Sequence, residues 1–139
     1  PFADNPEEWF AAAAKLLKPG GQLVLSTGHP LFSASWMEFD DGETGLWVEN
    51  YFLPASDVRT LDTGSVTRAR NWPVSRIVQA MLDAGFTLDR IAEPEPLPWP
   101  TLSAEDRDIC CPYWSDAWAD LYDECSKIPV VLLLRGQKS

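Results

Sequence analysis

The chain contains a single histidine, and its position makes it the first candidate for acid–base chemistry. His29 follows the apolar run QLVLST, residues 22–27, within the longer stretch LLKPGGQLVLSTGHPLF. Histidine is the side chain that most readily gains or loses a proton near neutral pH. Ligands of open α/β sheets bind beyond the carboxyl ends of strands, so we expect His29 at the rim of an active site. It could act there as a catalytic base, or it could be a buried side chain bonded to the backbone.

Other residues that could do chemistry are less specific. Glu93 and Glu95 alternate in an extended stretch, which suits paired carboxylates for acid–base work or two solvated loop residues. Cys110 or Ser26 could serve with His29 as the nucleophile of a hydrolase. Three cysteines, two of them adjacent, and one histidine show no ligand spacing, so no metal site is predicted.

The elements that must position these residues alternate between helix and strand. A helix is predicted to begin after Asn5, which can cap it, and to end at Pro19. Gly20 and Gly21 follow this helix and precede a strand, the reverse of a phosphate-binding loop, so they predict a turn. A second amphipathic helix, VSRIVQAMLDAGF, precedes the strands TLDRIAEP and PVVLLLRG, with further helices between 103 and 125. This order predicts an α/β architecture.

Residues 31–70 have a different texture from the rest of the chain. Aromatic-rich runs flank Asp41 and Gly42, and a second turn is expected at Gly64. We predict an antiparallel hairpin insertion of about forty residues, a length typical of a functional lid.

Several residues in and just after this insertion are candidates for binding a substrate. The aromatic ones could line a pocket or pack the insertion onto the sheet. The arginines, including Arg68 and Arg70, could pair with an anionic acceptor or with surface carboxylates. Asn71 could hydrogen-bond a substrate or cap the second helix. The substrate-binding candidates are Trp36, Trp47, Tyr51, Arg59, Asn71 and Trp72.

The composition limits the class of partner. The 139 residues suffice for one domain, 1–139, and the formal net charge is −10. That charge disfavours nucleic acid and anionic membrane surfaces as main partners. No apolar run approaches the roughly 18 residues that span a bilayer, and no leader is visible, so we expect a cytoplasmic protein. Because the chain begins at Pro1, we expect a fragment or a processed product.

Four segments in order resemble a known family. LLKPGGQLVLSTGHPLF, WVENYF, VSRIVQAMLDAGFTLDRIAEPEP and PVVLLLRGQK resemble the second half of class I S-adenosylmethionine-dependent methyltransferases, most closely the small-molecule group called type 11. The resemblance implies a partial Rossmann-like fold: a mixed sheet with helices on both faces plus the hairpin insertion. It also implies that the last strand inserts, antiparallel, beside the strand that carries His29.

The same resemblance implies methyl transfer from S-adenosylmethionine to a small-molecule acceptor. The chain would supply the acceptor side, because it lacks the family's glycine-rich cofactor loop and would bind the cofactor weakly or not at all alone. Related enzymes often carry a histidine where this chain has Asn71. The alternative is a non-catalytic module that forms a homodimer or binds a protein partner through an exposed sheet edge.

Overall fold

Local sequence signals set the bounds of the first helix, α1 (Pro6–Leu16). Asn5 caps it: the side-chain Oδ1 accepts a hydrogen bond from the Glu8 N–H at 2.7 Å. Pro6 occupies the first helical position, where the missing N–H costs nothing. Gly20 then turns the chain with a φ of +77°, which glycine adopts without strain. The predicted helix, its cap and the helix-to-strand turn are confirmed.

The computed structural model describes residues 5–33, 35–39, 42–48, 50–52, 55–60, 64–96, 103, 122 and 126–139. The elements after α1 follow in chain order. They are β1 (Gln22–Gly28), a 3-10 turn (Pro30–Ser33), β2 (Ser35–Glu38), β3 (Thr44–Trp47), β4 (Ala55–Thr60), β5 (Val66–Asn71), α2 (Val74–Asp83), β6 (Phe86–Ala92) and β7 (Val131–Lys138). The helices predicted between 103 and 125 fall almost entirely outside the described residues.

Three strands form the main sheet, in the order β1-β7-β6. The central strand β7 runs antiparallel to both of its neighbours. β1 and β6 are therefore parallel to each other, and their carboxyl ends lie at the same edge of the sheet. The antiparallel insertion of the last strand beside β1 is confirmed. Both pairings in this described sheet are antiparallel, so the parallel pairing of a mixed sheet stays a prediction.

Both described helices contribute to a single hydrophobic core on one face of this sheet. Leu132 and Leu134 alternate along β7 and are 0% and 1% exposed. They share the core with Phe10 of α1 and Met81 of α2. The apolar residues of α2 recur at helical spacing, and this pattern places its buried stripe against the sheet.

The side chain of Lys138 fastens the end of α1 to β7. Its Nζ donates to the backbone carbonyl oxygens of Ala14 and Leu17, the latter at 2.7 Å. These carbonyls lie at the carboxyl end of the helix, where the last turn lacks backbone donors and a cation is favoured. The contact fixes α1 relative to the sheet.

Two antiparallel strand pairs, β2–β3 and β4–β5, form the segment predicted as the insertion. Gly42 and Gly64 lie between the paired strands with φ values of +81° and +78°. The predicted hairpin strands are confirmed, and the role of this segment as a lid stays a prediction. None of the helices within the described ranges is both long and apolar enough to cross a membrane.

Candidate functional site

A cavity of about 480 Å³ opens at the carboxyl end of β1. It is bounded by the first turns of α1, the last four residues of β1, the end of β5 and the first half of α2. The residues that line it are Pro6, Trp9, Phe10, Leu25, Ser26, Thr27, Gly28, Arg70, Asn71, Trp72 and Ile77. This is the edge of the sheet at which ligands of α/β folds bind.

Aromatic and aliphatic side chains form most of the cavity wall. Phe10 and Ile77 are 1% and 6% exposed, so they belong to the core as well as to the cavity. Trp9 is 39% exposed and meets Phe10 edge to face, with ring centroids 4.9 Å apart. Trp72 is a third aromatic residue of the wall. A flat apolar molecule would therefore find aromatic surfaces in the cavity.

The polar part of the wall comes mainly from three consecutive residues at the end of β5. Arg70 and Asn71 are half-buried, and Trp72 is 9% exposed. The Trp72 indole N–H is shielded from water and has no hydrogen-bond partner in the part of the chain that the structure describes. A buried donor without an acceptor costs roughly 1–3 kcal/mol. Buried polar groups without a hydrogen-bond partner are rare in folded proteins, and a ligand that accepts the bond from Trp72 would explain this one.

An ion pair holds the Trp72 ring in place from outside the cavity. The Arg76 guanidinium carbon lies 4.0 Å from the centroid of the ring, a cation–π contact. Glu7 in turn accepts two hydrogen bonds from Arg76, at 2.8 and 3.2 Å. The hydrogen bond from Arg76 lowers the pKa of the Glu7 carboxyl, and the same bond raises the pKa of Arg76. The pair thus joins the start of α1 to α2 across Trp72.

His29 is buried beside the cavity rather than in its wall. The side chain is 4% exposed, and its Nε2 lies 3.0 Å from Glu93 Oε1. The Leu31 backbone N–H donates to Nδ1 at 3.2 Å. Because Nδ1 accepts a bond from an N–H, the proton of the neutral ring belongs on Nε2, which donates to the carboxylate.

The topology explains why His29 and Glu93 meet although 64 positions separate them. Each residue comes directly after the last residue of a strand, β1 or β6, and these strands are parallel on either side of β7. The His29 backbone N–H also donates to the Val130 carbonyl oxygen, just before β7. His29 therefore joins the ends of three strands, and both of its ring nitrogens are engaged.

The other substrate-binding candidates lie in different surroundings. Asn71 and Trp72 line the cavity. The capping alternative for Asn71 is wrong, because Pro73 is the N-cap of α2 and no side chain caps it. The Tyr51 hydroxyl accepts a hydrogen bond from the Val74 N–H at 3.2 Å, at the first residue of α2. Trp47 is 57% exposed on β3 and is not part of the cavity wall.

Some candidates fall on side chains outside the description. Trp36 is in β2 and Arg59 is in β4, and only their backbone positions are described. Cys110 lies outside the described residues. Ser26 lines the cavity, but neither ring nitrogen of His29 is bonded to it. Among the described residues, no three His, Cys, Asp or Glu side chains are placed to hold a metal ion.

Sequence reasoning did not single out several residues of the site. Trp9, Phe10 and Ile77 fit the apolar spacing of their helices, and that pattern gives no separate sign of a cavity. The sequence position of Glu93 suits a solvated loop residue or one of two paired carboxylates. A signal for its contact with His29 did exist: both residues come directly after strands that the order of elements makes parallel.

Comparisons with known proteins bear on the fold. No family model and no curated protein matches the chain. Among the similar solved structures are two S-adenosylmethionine-dependent methyltransferases, the first by provisional assignment. The one from Listeria monocytogenes is 22% identical with a TM-score of 0.66, over 96% of this chain and 55% of that protein. The one from Mesorhizobium loti is 22% identical with a TM-score of 0.64, over 99% of this chain and 57% of that protein.

The chain thus spans just over half the length of each of these two proteins. At this level of identity the likeness establishes the fold and not the reaction. The partial fold implied by the resemblance is confirmed: the chain has part of the fold of these two methyltransferases. Helices on both faces of the sheet stay a prediction, because both described helices lie on one face.

Proposed function

We propose that this chain forms the acceptor-binding side of an S-adenosylmethionine-dependent methyltransferase that acts on a small molecule. The observation that carries the proposal is the cavity at the carboxyl end of β1, in a chain with part of the methyltransferase fold. Its volume of about 480 Å³ lies within the range of roughly 300–1,000 Å³ typical of small-molecule sites. The proposed enzyme is cytoplasmic, in keeping with its acidic charge.

The described residues suit an acceptor and do not fit the cofactor. S-adenosylmethionine has a sulfonium cation and ribose hydroxyls, and an acidic residue is the usual partner for such hydroxyls. The described wall of the cavity contains no Asp or Glu, and Arg70 adds a positive charge. The sequence also lacks a glycine-rich loop for the cofactor. We therefore assign to this chain the binding, orientation and shielding of the acceptor, and no contact with the cofactor.

His29 is proposed to position this site rather than to take a proton from the acceptor. It is buried, and the lone pair of Nδ1 already accepts a bond from Leu31. By bonding Glu93 it holds the ends of β1 and β6, next to Gly28 in the cavity wall. A base for the acceptor proton, if the reaction needs one, would come from another group.

The segment 31–70 is proposed to cover the cavity as a lid within the single domain 1–139. Tyr51 supports this, because its hydroxyl bonds the Val74 N–H two residues after Trp72. Trp36, Trp47 and Arg59 keep their proposed roles as acceptor contacts of the closed lid. A closing lid would exclude water from the transfer reaction.

Two measurements test the proposed function. The complete natural protein that carries this sequence is titrated with S-adenosylhomocysteine in a calorimeter, and binding is expected. It is then incubated with methyl-labelled S-adenosylmethionine and a small-molecule extract of its own cells. Label should move to a small molecule, and Thr27→Phe should reduce this transfer, because Thr27 lines the cavity and lies on the same face of β1 as Leu25, which packs against the core. Val24→Phe is the matched control, because Val24 lies on the same strand outside the cavity wall. Absence of cofactor binding would overturn the proposal.

A second candidate is the non-catalytic module that binds a partner or a second copy through a sheet edge. Among the described strands β1 pairs only with β7, and Val24 on β1 is 66% exposed. An unpaired strand edge is a template for another strand. Light scattering that shows a homodimer, or a stable complex with a protein partner, together with no cofactor binding, would favour this reading. Cofactor binding and methyl transfer would favour the enzyme.

A further inference from the structure

The cavity wall has the opposite charge balance from the rest of the chain. The whole sequence has 21 acidic and 11 basic residues, for a net charge of −10. Among the described residues of the wall there is one arginine, Arg70, and no acidic side chain. The acidic surface of the chain repels anions, and the described cavity wall repels them less because it has one arginine and no carboxylate. The same wall offers no carboxylate to pair with a cation.

The hydrogen-bonding groups of the wall point to the same class of ligand. The guanidinium of Arg70 and the indole of Trp72 can only donate, while the Asn71 amide and the hydroxyls of Ser26 and Thr27 both donate and accept. The Trp72 N–H still has no acceptor in the described part of the chain. Arg70 already makes an interaction within the protein, and the five N–H donors of its guanidinium allow a second partner. The wall therefore calls for a ligand rich in acceptor oxygens.

The apolar part of the wall selects for a flat ring. Trp9, Phe10 and Trp72 present three aromatic side chains to one cavity. The Trp72 ring is kept rigid by Arg76, which lies 4.0 Å from its centroid and is held by Glu7. Rigid aromatic walls bind a planar ring at a lower entropic cost than flexible chains do.

We propose that the cavity binds an aromatic carboxylate, with the ring between the aromatic side chains and the carboxylate bonded by Arg70 and its neighbours. Arginine matches a carboxylate with two parallel hydrogen bonds, which explains why this class fits better than a neutral alcohol. The inference rests on the proposed function, since it names the class of acceptor for that same site.

The test uses four small probes that differ in one property at a time. The chain is titrated calorimetrically with 1-naphthaleneacetate, with the cation 1-naphthylmethylamine, with neutral 1-naphthalenemethanol and with the non-aromatic anion cyclohexylacetate. We expect 1-naphthaleneacetate to bind about tenfold or more tightly than each of the other three probes. Equal or tighter binding of the amine would overturn the proposal, as would no binding of 1-naphthaleneacetate.

Two variants that each remove one positive charge test whether the bound carboxylate lies at Arg70. Arg70→Gln should weaken the binding of 1-naphthaleneacetate about tenfold and leave 1-naphthalenemethanol unchanged. Arg90→Gln is the matched control, because Arg90 is exposed on β6 and lies outside the cavity wall. An equal effect of the two variants would contradict binding at Arg70. If circular dichroism shows that Arg70→Gln does not fold, Arg70→Lys replaces it, and it should weaken the anion by a smaller factor.

The outcome is separable from that of the proposed function. S-adenosylhomocysteine is titrated in a separate experiment. If it binds but the cavity does not prefer 1-naphthaleneacetate over the other probes, only the inference about the acceptor is overturned. Binding of the aromatic anion with no cofactor binding by the complete protein removes only the proposed methyl transfer.

Discussion

The helix-covered sheet has a buried apolar core, whereas the described Trp and Phe side chains of the hairpin region, residues 31–70, are largely exposed. In the sheet region, Met81 and Leu132 are 0% exposed and sit in one continuous core. In the hairpin region, Trp47 and Phe52 are 57% and 78% exposed. The described sheet region can therefore carry most of the stability of the chain, while the hairpin region presents aromatic surface that is available for binding.

The largest effect is expected from emptying the core of the sheet region. Leu134→Ala removes a side chain that is 1% exposed, and it should lower the free energy of unfolding by about 2–5 kcal/mol. Trp47→Thr, in the hairpin region, should change it by less than about 1 kcal/mol, because threonine also favours strands. Urea denaturation measures both. Similar losses would remove the contrast between the two regions.

The next effect concerns the contact that joins the ends of β1 and β6. His29→Ala leaves the Leu31 N–H without its acceptor and should cost about 1–3 kcal/mol. Hydrogen exchange of the Leu31 amide should become faster. His29→Asn is the conservative control, since its side-chain oxygen can replace Nδ1 and keep that amide protected. Unchanged exchange in His29→Ala would contradict the bond from the Leu31 N–H to Nδ1, and an unchanged stability of His29→Ala would contradict the positioning role.

A smaller effect is expected where the hairpin region touches the sheet region. Tyr51→Phe removes only the hydroxyl that accepts from the Val74 N–H, at a cost of about 0.5–1.5 kcal/mol. Amide exchange at Val74 and urea denaturation report the loss. If the variant is as stable as the natural chain and Val74 stays protected, the two regions are not linked through this bond.

The smallest effect is a dependence on pH. The Arg76 hydrogen bond lowers the pKa of Glu7, so the pair stabilises the fold above the ordinary glutamate pKa of about 4.3. This contribution is lost as the pH falls through the lowered pKa of the folded state. Glu7→Gln should therefore be slightly less stable at neutral pH, and the difference should vanish in acid.

Both side chains of this pair are nearly half exposed, at 47% for Glu7 and 44% for Arg76, so solvent weakens the interaction. Thermal unfolding of the natural chain and of Glu7→Gln, from neutral pH into acid, measures the difference in their stability. A gap in stability that widened towards acid would contradict the assigned direction of the pKa shift.

Local patterns in the sequence were enough for the described helices and strands, whereas the antiparallel place of β7 beside β1 was implied by the family resemblance. The spacing of apolar residues predicted α2, and Asn5 with Pro6 predicted the start of α1. The long contacts were not predictable in this way. Glu7 and Arg76 are 69 positions apart, and their meeting depends on how the two helices pack. Asn71 shows the same limit, because its cap-like sequence position is overridden by Pro73, which begins the helix instead.

The candidate site was only partly visible in the sequence. Asn71 and Trp72 were identified, and the structure places both in the cavity wall. Trp9 and Phe10 look like ordinary residues of a helix face, so their second role required the folded arrangement. His29 was found because it is unique and follows a strand, while its burial depends on Glu93 from a distant strand end.

The central claim, that ligands bind in the cavity of the sheet region, is tested most directly by the indole N–H signals of the tryptophans. The seven signals are assigned in nuclear magnetic resonance spectra with single Trp→Phe variants. Titration with 1-naphthaleneacetate is predicted to shift the signals of Trp9 and Trp72, which line the cavity. A titration that shifts Trp47 alone, with Trp9 and Trp72 unchanged, would contradict the account.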